Sequence, residues 1–242
     1  MANTCQPARA RRSATSPLRD KPPQGKEAAM TRTAPLSPRQ TMVDSQLKTV
    51  GVTDAAVLAA FADLPREAYL PPALAPLAYA DAAQQVAPGR RLLPPLVLAL
   101  LLQHAAVQPG ERVLVVGSAT GLSAALLARM GAQVTALESD AALIASAEAA
   151  GVASVQGPLA EGWAANAPYD LILFEGAIGQ VPAAIAAQLA PGGRVATVLR
   201  EAGVGRAYAG PLRADGQPAA LPFLDVSAPD LPGFARPAAF AF

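Results

Sequence analysis

Residues 111–140 read ERVLVVGSATGLSAALLARMGAQVTALESD. Val113 to Val116 form a short apolar run bounded by charge and glycine, the pattern of a central parallel strand covered on both faces. In the turn that follows, Gly117 and Gly121 lack a Cβ, so backbone amides can approach a ligand closely; Ser118 and Ala119 lie between them. From Leu122 to Met130 the composition favours a helix, whose N-terminus the turn aims at whatever binds there. Gln133 to Leu137 alternate into a second strand, and Glu138 stands at its carboxyl end, 21 positions after Gly117. An acid at that distance is where a ribose hydroxyl pair is held. The stretch predicts the front half of a nucleotide-cofactor site.

Working outward, MVDSQLKTVGVTDAAVLAAF predicts a short helix, a break at Gly51 and a second helix from about Asp54 to Ala62, with Thr53 as its cap. The segment PREAYLPPALAPLAYADAAQQVAPGRRLLPP is rich in proline and predicts irregular chain lying over the domain. Pro94 or Pro95 can open a helix running to about Ala106. Beyond Glu138 the pattern predicts a helix over Ala141–Ala149 and strands over Ala153–Gln156, Tyr169–Phe174 and Arg194–Leu199, with a helix from Val181 to Leu189 between the last two. The remainder, from about 203, predicts final antiparallel strands. Strands alternating with helices imply an α/β fold, a Rossmann-like, doubly wound and mostly parallel sheet with ligands at the strands' carboxyl ends.

At 242 residues and 52% hydrophobic, the chain can bury one sizeable core but not two full domains. The expected organisation is an extension over 1–41 and a single domain over 42–242. Within the domain, 42–107 is helical and covers the cleft, 108–200 is the core, and 201–242 supplies C-terminal strands. Residues 1–41 carry eight Lys/Arg against two Asp/Glu, and the rest eleven against sixteen. The extension reads as disordered, or as a chain whose true start is Met30 or Met42. The mildly acidic domain does not suggest a nucleic-acid surface. No window is long and apolar enough for a membrane span and no secretion signal is visible, so a cytoplasmic location is expected. Cys5 is the single cysteine and His104 the single histidine, the latter on an apolar helix. Thiolate catalysis, a serine-histidine-aspartate machine and a histidine or cysteine metal site have almost nothing to be built from.

The blocks MVDSQL, LPREAYLPP, LAYAD, PGRRLLPP, VLVVGSATG, PYD with GA, and QLAPGGR follow one another between residues 42 and 200. In that order and spacing the chain resembles the protein-L-isoaspartate O-methyltransferase family of class I methyltransferases. The resemblance implies S-adenosylmethionine as cofactor and a peptide or protein carboxylate, that of isoaspartyl residues in damaged proteins, as methyl acceptor. It places Gly117, Ser118, Ala119, Gly121, Glu138 and Gly157 against the cofactor, and the segments carrying Asp81, Arg90 and Arg91 at the cleft, where the arginines could hold an anionic substrate by bidentate contacts. No metal is implied, and a monomer is the default.

The chain also departs from the family pattern. Val115 stands where an acid helps position the cofactor's methionine end, Ala119 where the middle glycine stands, Leu122 at a tyrosine, and Pro158 where an aspartate lies near the adenine. Arg91 and Leu93 replace the threonine and serine whose hydroxyls sit near the reacting carboxylate. Two alternatives therefore stand beside the enzyme: a non-catalytic relative that keeps the fold as a binding or scaffold protein, and a nicotinamide-dependent oxidoreductase, which Glu138 would suit but the spacing Gly117-x-Ala119-x-x-Leu122 would not.

Overall fold

Ser37 accepts a hydrogen bond from the Gln40 amide through its side chain and so caps helix α1 (Pro38–Met42), whose proline sits in the first turn where its missing N–H is not needed. The structure, a computed structural model, describes residues 36 to 234. The expected extension over 1–41 therefore lies mostly outside the described residues; of its last residues, Pro38 to Thr41 are helical and lead into the buried Met42, Val43 and Leu47. Helix α2 (Ala55–Asp63) is capped by Asp54 rather than Thr53. The Asp54 carboxylate accepts from the amides of Ala56 and Val57 at 2.8 and 3.1 Å, while the Thr53 amide is taken by Gln103 Oε1 at 2.7 Å.

The proline-rich segment is less irregular than its composition suggests. It contains an antiparallel hairpin of β1 (Gln84–Ala87) and β2 (Arg90–Leu92), turned at Gly89. Strand alternation in β2 turns Arg90 and Leu92 inward and leaves Arg91 in solvent. Helix α3 (Pro95–Ala105) follows as expected.

The core is a seven-stranded sheet. Strand β3 (Arg112–Val116) lies between β4 (Gln133–Glu138) and β6 (Tyr169–Ile178), with β5 (Ser154–Gln156) outside β4 and β7 (Leu189–Glu201) outside β6; all these pairings are parallel. Strands β8 (Val204–Gly210) and β9 (Leu224–Val226) add to the β7 edge in antiparallel fashion. Helices α4 (Leu122–Arg129) and α5 (Ala141–Ala149) match the expected ranges. The helix expected from Val181 to Leu189 is only α6 (Ala183–Ala186), because Pro182 delays its start and the chain enters β7 at Leu189.

Alternation along the buried strands sorts the core into two layers. Val113, Val115, Leu171 and Leu173 face α2, α3 and α4, whereas Leu114, Val116, Ile172 and Phe174 face the opposite side. Each such side chain contributes about 1.5–3 kcal/mol by leaving water. Because β3 is followed on one side by β4 and on the other by β6, the strand order reverses there, and the crevice at those carboxyl ends is where α/β sheets take ligands.

After β9 the chain does not leave the sheet. Residues 227–234 turn back across the carboxyl end of β6: the Ala177 amide donates to the Pro229 carbonyl at 2.7 Å, the Leu231 amide to the Ala177 carbonyl at 2.7 Å, and the Gly179 amide to the Phe234 carbonyl at 2.8 Å. Leu231 and Phe234 are buried, and Phe234 meets Phe174 edge to face.

Candidate functional site

The turn after β3 has the expected shape. The amides of Gly117 and Ser118 both donate to the Leu137 carbonyl, and the Gly121 amide to the Ser118 carbonyl, which ties the turn to the end of β4. Gly117, Ala119 and Gly121 all have positive φ, at 73°, 51° and 89°. Ala119 thus adopts the left-handed geometry that a glycine would take without strain, at a cost of roughly 1 kcal/mol. Val115 is fully buried in the apolar layer and offers no acceptor for an ammonium group.

Glu138 is completely buried at the end of β4, and its carboxylate is fully engaged. Arg90 Nη1 and Nη2 donate to its two oxygens at 2.6 Å each, and Arg90 Nη2 also donates to the Gly117 carbonyl at 2.9 Å. The amides of Ala119, Ser139 and Asp140 add donors at 2.9, 2.7 and 3.0 Å, and the Ser139 hydroxyl a longer one at 3.3 Å. Burial by itself pushes this carboxyl up. The hydrogen bonds and charge of Arg90, with the Asp140 and Ala119 amides, outweigh burial and hold it below the usual carboxylate range.

The hollow above Gly117 is filled by the chain itself. A Cβ built on Gly117 would lie 2.6 Å from Leu231 Cδ1 and 3.2 Å from Arg90 Nη2. The residues present therefore do not fit a nucleoside in this arrangement: the Glu138 carboxylate is already saturated with donors, and the approach over Gly117 is taken by Leu231. A groove of about 470 Å³ opens elsewhere, along α4, lined by Leu64, Tyr69, Ala128, Val134 and Val152.

Structure brings together Gly117, Ala119, Glu138 and Arg90, whose guanidinium here engages Glu138 and the Gly117 carbonyl. Arg91 projects into solvent, 3.5 Å from Gln85 Oε1. Asp81 is exposed and accepts from the Leu96 amide at 3.1 Å, so it caps α3. Ser118 is fully buried with a hydroxyl that has no partner among the described residues. Gly157 supports the end of β4 through its amide and packs under Trp163. His104 is exposed and stacks on Phe223 at 3.9 Å.

Two buried groups escaped the sequence reading. Glu175 accepts from the Leu93 amide at 3.1 Å and from the Ser123 hydroxyl. Burial pushes its pKa up to about 7, against the Leu93 hydrogen bond and the charges of Arg66 and Arg90. Arg66 is 2% exposed and donates to the Leu93 carbonyl at 2.7 Å. The available signal was an acid inside the otherwise apolar run LILFEGAI. Among the described residues no group of three or more His, Cys, Asp or Glu could hold a metal, and no helix is long and apolar enough to cross a membrane.

A doubly wound sheet with a glycine turn and strand-end acid at its point of reversal defines a Rossmann-like protein of the class I methyltransferase type. The chain belongs to the protein-L-isoaspartate(D-aspartate) O-methyltransferase family, whose sequence profile matches residues 38–204. It is 41% identical over 187 residues to the protein-L-isoaspartate O-methyltransferase of Methylorubrum extorquens, covering 75% of this chain and 78% of that one. It is 37% identical over 164 residues to protein-L-isoaspartate O-methyltransferase 1 of Rhodopseudomonas palustris strain HaA2, covering 65% and 67%. Among solved structures, a Plasmodium falciparum protein assigned to the same class, in complex with S-adenosyl-L-homocysteine, superposes with a TM-score of 0.67 at 17% identity, covering 81% of this chain and 99% of that one. A second protein-L-isoaspartate O-methyltransferase superposes equally well, at 0.67 and 24% identity, and this chain covers 66% of its length. At those identities the structures establish the fold. This family uses S-adenosylmethionine, which separates the chain from nicotinamide-dependent oxidoreductases.

Proposed function

We propose that the chain is an S-adenosylmethionine-dependent methyltransferase acting on the carboxylate of isoaspartyl residues in damaged peptides or proteins, working as a cytoplasmic monomer. The observation that carries this is the continuous family match over residues 38–204, at 41% identity to a relative named for that activity. The chemistry is compatible with a crevice lacking histidine. A carboxyl group with a reference pKa of about 4 is already ionised at neutral pH, so no general base is required and the protein's task is alignment and exclusion of water. The test is transfer of a radiolabelled methyl group to an isoaspartyl peptide, with the matching aspartyl peptide as control. Label on the first and not the second is expected; label on neither, with protein that melts cooperatively, counts against the activity.

A second reading is favoured by the filled hollow: a non-catalytic relative that keeps the fold and has lost the cofactor. It predicts no heat on titration with millimolar S-adenosyl-L-homocysteine.

A further inference from the structure

We propose that residues 227–234, together with Arg90, form an autoinhibitory strap that competes with the nucleoside cofactor for the space over Gly117 and Glu138. The inference rests on the methyltransferase reading and adds regulation of the same site. Two separate parts of the chain converge on one turn. Leu231 lies where the missing Cβ of Gly117 would leave room for a ligand. Arg90 sets two guanidinium nitrogens on the carboxylate whose oxygens would otherwise accept from a pair of ribose hydroxyls.

The strap is a built element, seated by the buried Leu231 and Phe234 and tied down by few polar contacts. Three backbone hydrogen bonds join it to Ala177 and Gly179. Arg200 anchors it from the side, donating to Asp230 Oδ1 at 2.6 and 2.9 Å and to the Ala228 carbonyl at 2.7 Å. Asp230 is 73% exposed, so its ion pair adds little holding strength. On the other side the strap continues from β9, which pairs with β8 through only three residues. Such a segment can detach while the parallel sheet stays intact. When Arg90 swings away on its short hairpin, the amides of Ala119, Ser139 and Asp140 still orient Glu138 toward new donors. A protein closed most of the time binds its ligand more weakly by the fraction of molecules that are open.

The experiment is calorimetric titration of the full chain with S-adenosyl-L-homocysteine, comparing wild type with Leu231→Ala, which shortens the plug, and Arg200→Gln, which cuts the anchor without touching the hollow or the core. Hydrogen exchange at the Ala177, Gly179 and Leu231 amides is followed with and without the ligand. Leu231→Ala is expected to bind about tenfold more tightly and Arg200→Gln more tightly by a smaller factor, and the three amides are expected to lose protection when ligand is bound. Equal affinity in all three proteins with unchanged protection overturns the strap and leaves the methyltransferase reading standing. No binding by any of them, when all melt cooperatively, removes the methyltransferase reading and with it anything for the strap to regulate.

Discussion

Replacing Arg90 with alanine tests the buried ion pair at the centre of the crevice. Arg90 is 6% exposed and Glu138 0%, so water screens their attraction little, and both hydrogen bonds are 2.6 Å long. Removing one partner of a buried pair typically costs about 3–5 kcal/mol, because the other charge is stranded. Here the carboxylate keeps three backbone amide donors, which places the expected loss near the lower end, about 3 kcal/mol. The assay is urea unfolding followed by circular dichroism at pH 7. Arg90→Ala and Glu138→Ala should each destabilise strongly, whereas the double variant should fall short of their sum by about 2–3 kcal/mol. Acid adds a check of sign. The folded pKa of Glu138 lies below its unfolded value of about 4.3, so the stability this group contributes is present above that pH and is lost as pH falls through the folded pKa. Wild type should lose stability in that acid range, and Arg90→Ala should lose less. A single variant within about 0.5 kcal/mol of wild type, or strictly additive singles, would refute the pair and with it the assignment of Arg90.

Glu175 titrates in the opposite sense. With a folded pKa raised to about 7, its contribution is full below about pH 4.5 and disappears as pH rises through 7, so Glu175→Gln should flatten the decline in urea midpoint between pH 5 and 8.5 and stabilise the protein at the upper end by on the order of 2 kcal/mol. Ala119→Gly relieves a left-handed alanine and should raise stability by about 0.5–1 kcal/mol in a thermal melt, even though glycine loosens the unfolded chain. Gly117→Ala should destabilise by more than about 1 kcal/mol, since the added methyl meets both a left-handed φ and Leu231 at 2.6 Å. Asp54→Ala removes the cap of α2 and should cost about 1 kcal/mol in the same melt.

Much of the architecture was legible because its causes are local. An apolar run between charge and glycine specified β3, alternation specified β4, and the helix-forming stretches after each strand specified α4 and α5 within a residue or two. The misreadings also have local causes overridden by tertiary ones. Proline-rich composition hid the β1–β2 hairpin, which exists because Leu92 buries itself in the core. Thr53 and Asp54 are both competent caps, and Gln103, from α3, took the Thr53 amide. Glu175 went unread because it lies just past Phe174, where the strand was expected to end, whereas β6 runs on to Ile178 and carries it into the interior.

Sequence alone determined the Rossmann-like sheet, the glycine turn and the acid at the end of β4, because backbone propensity and hydrophobic period act over a few residues. Only the tertiary structure decided what that acid and that turn face. Arg90 lies 48 positions before Glu138, and Leu231 comes from beyond the last strand. Their meeting at Gly117 is set by how a hairpin and a C-terminal strap pack over the sheet, where burial and charge pairing between distant segments leave no periodic trace in the chain.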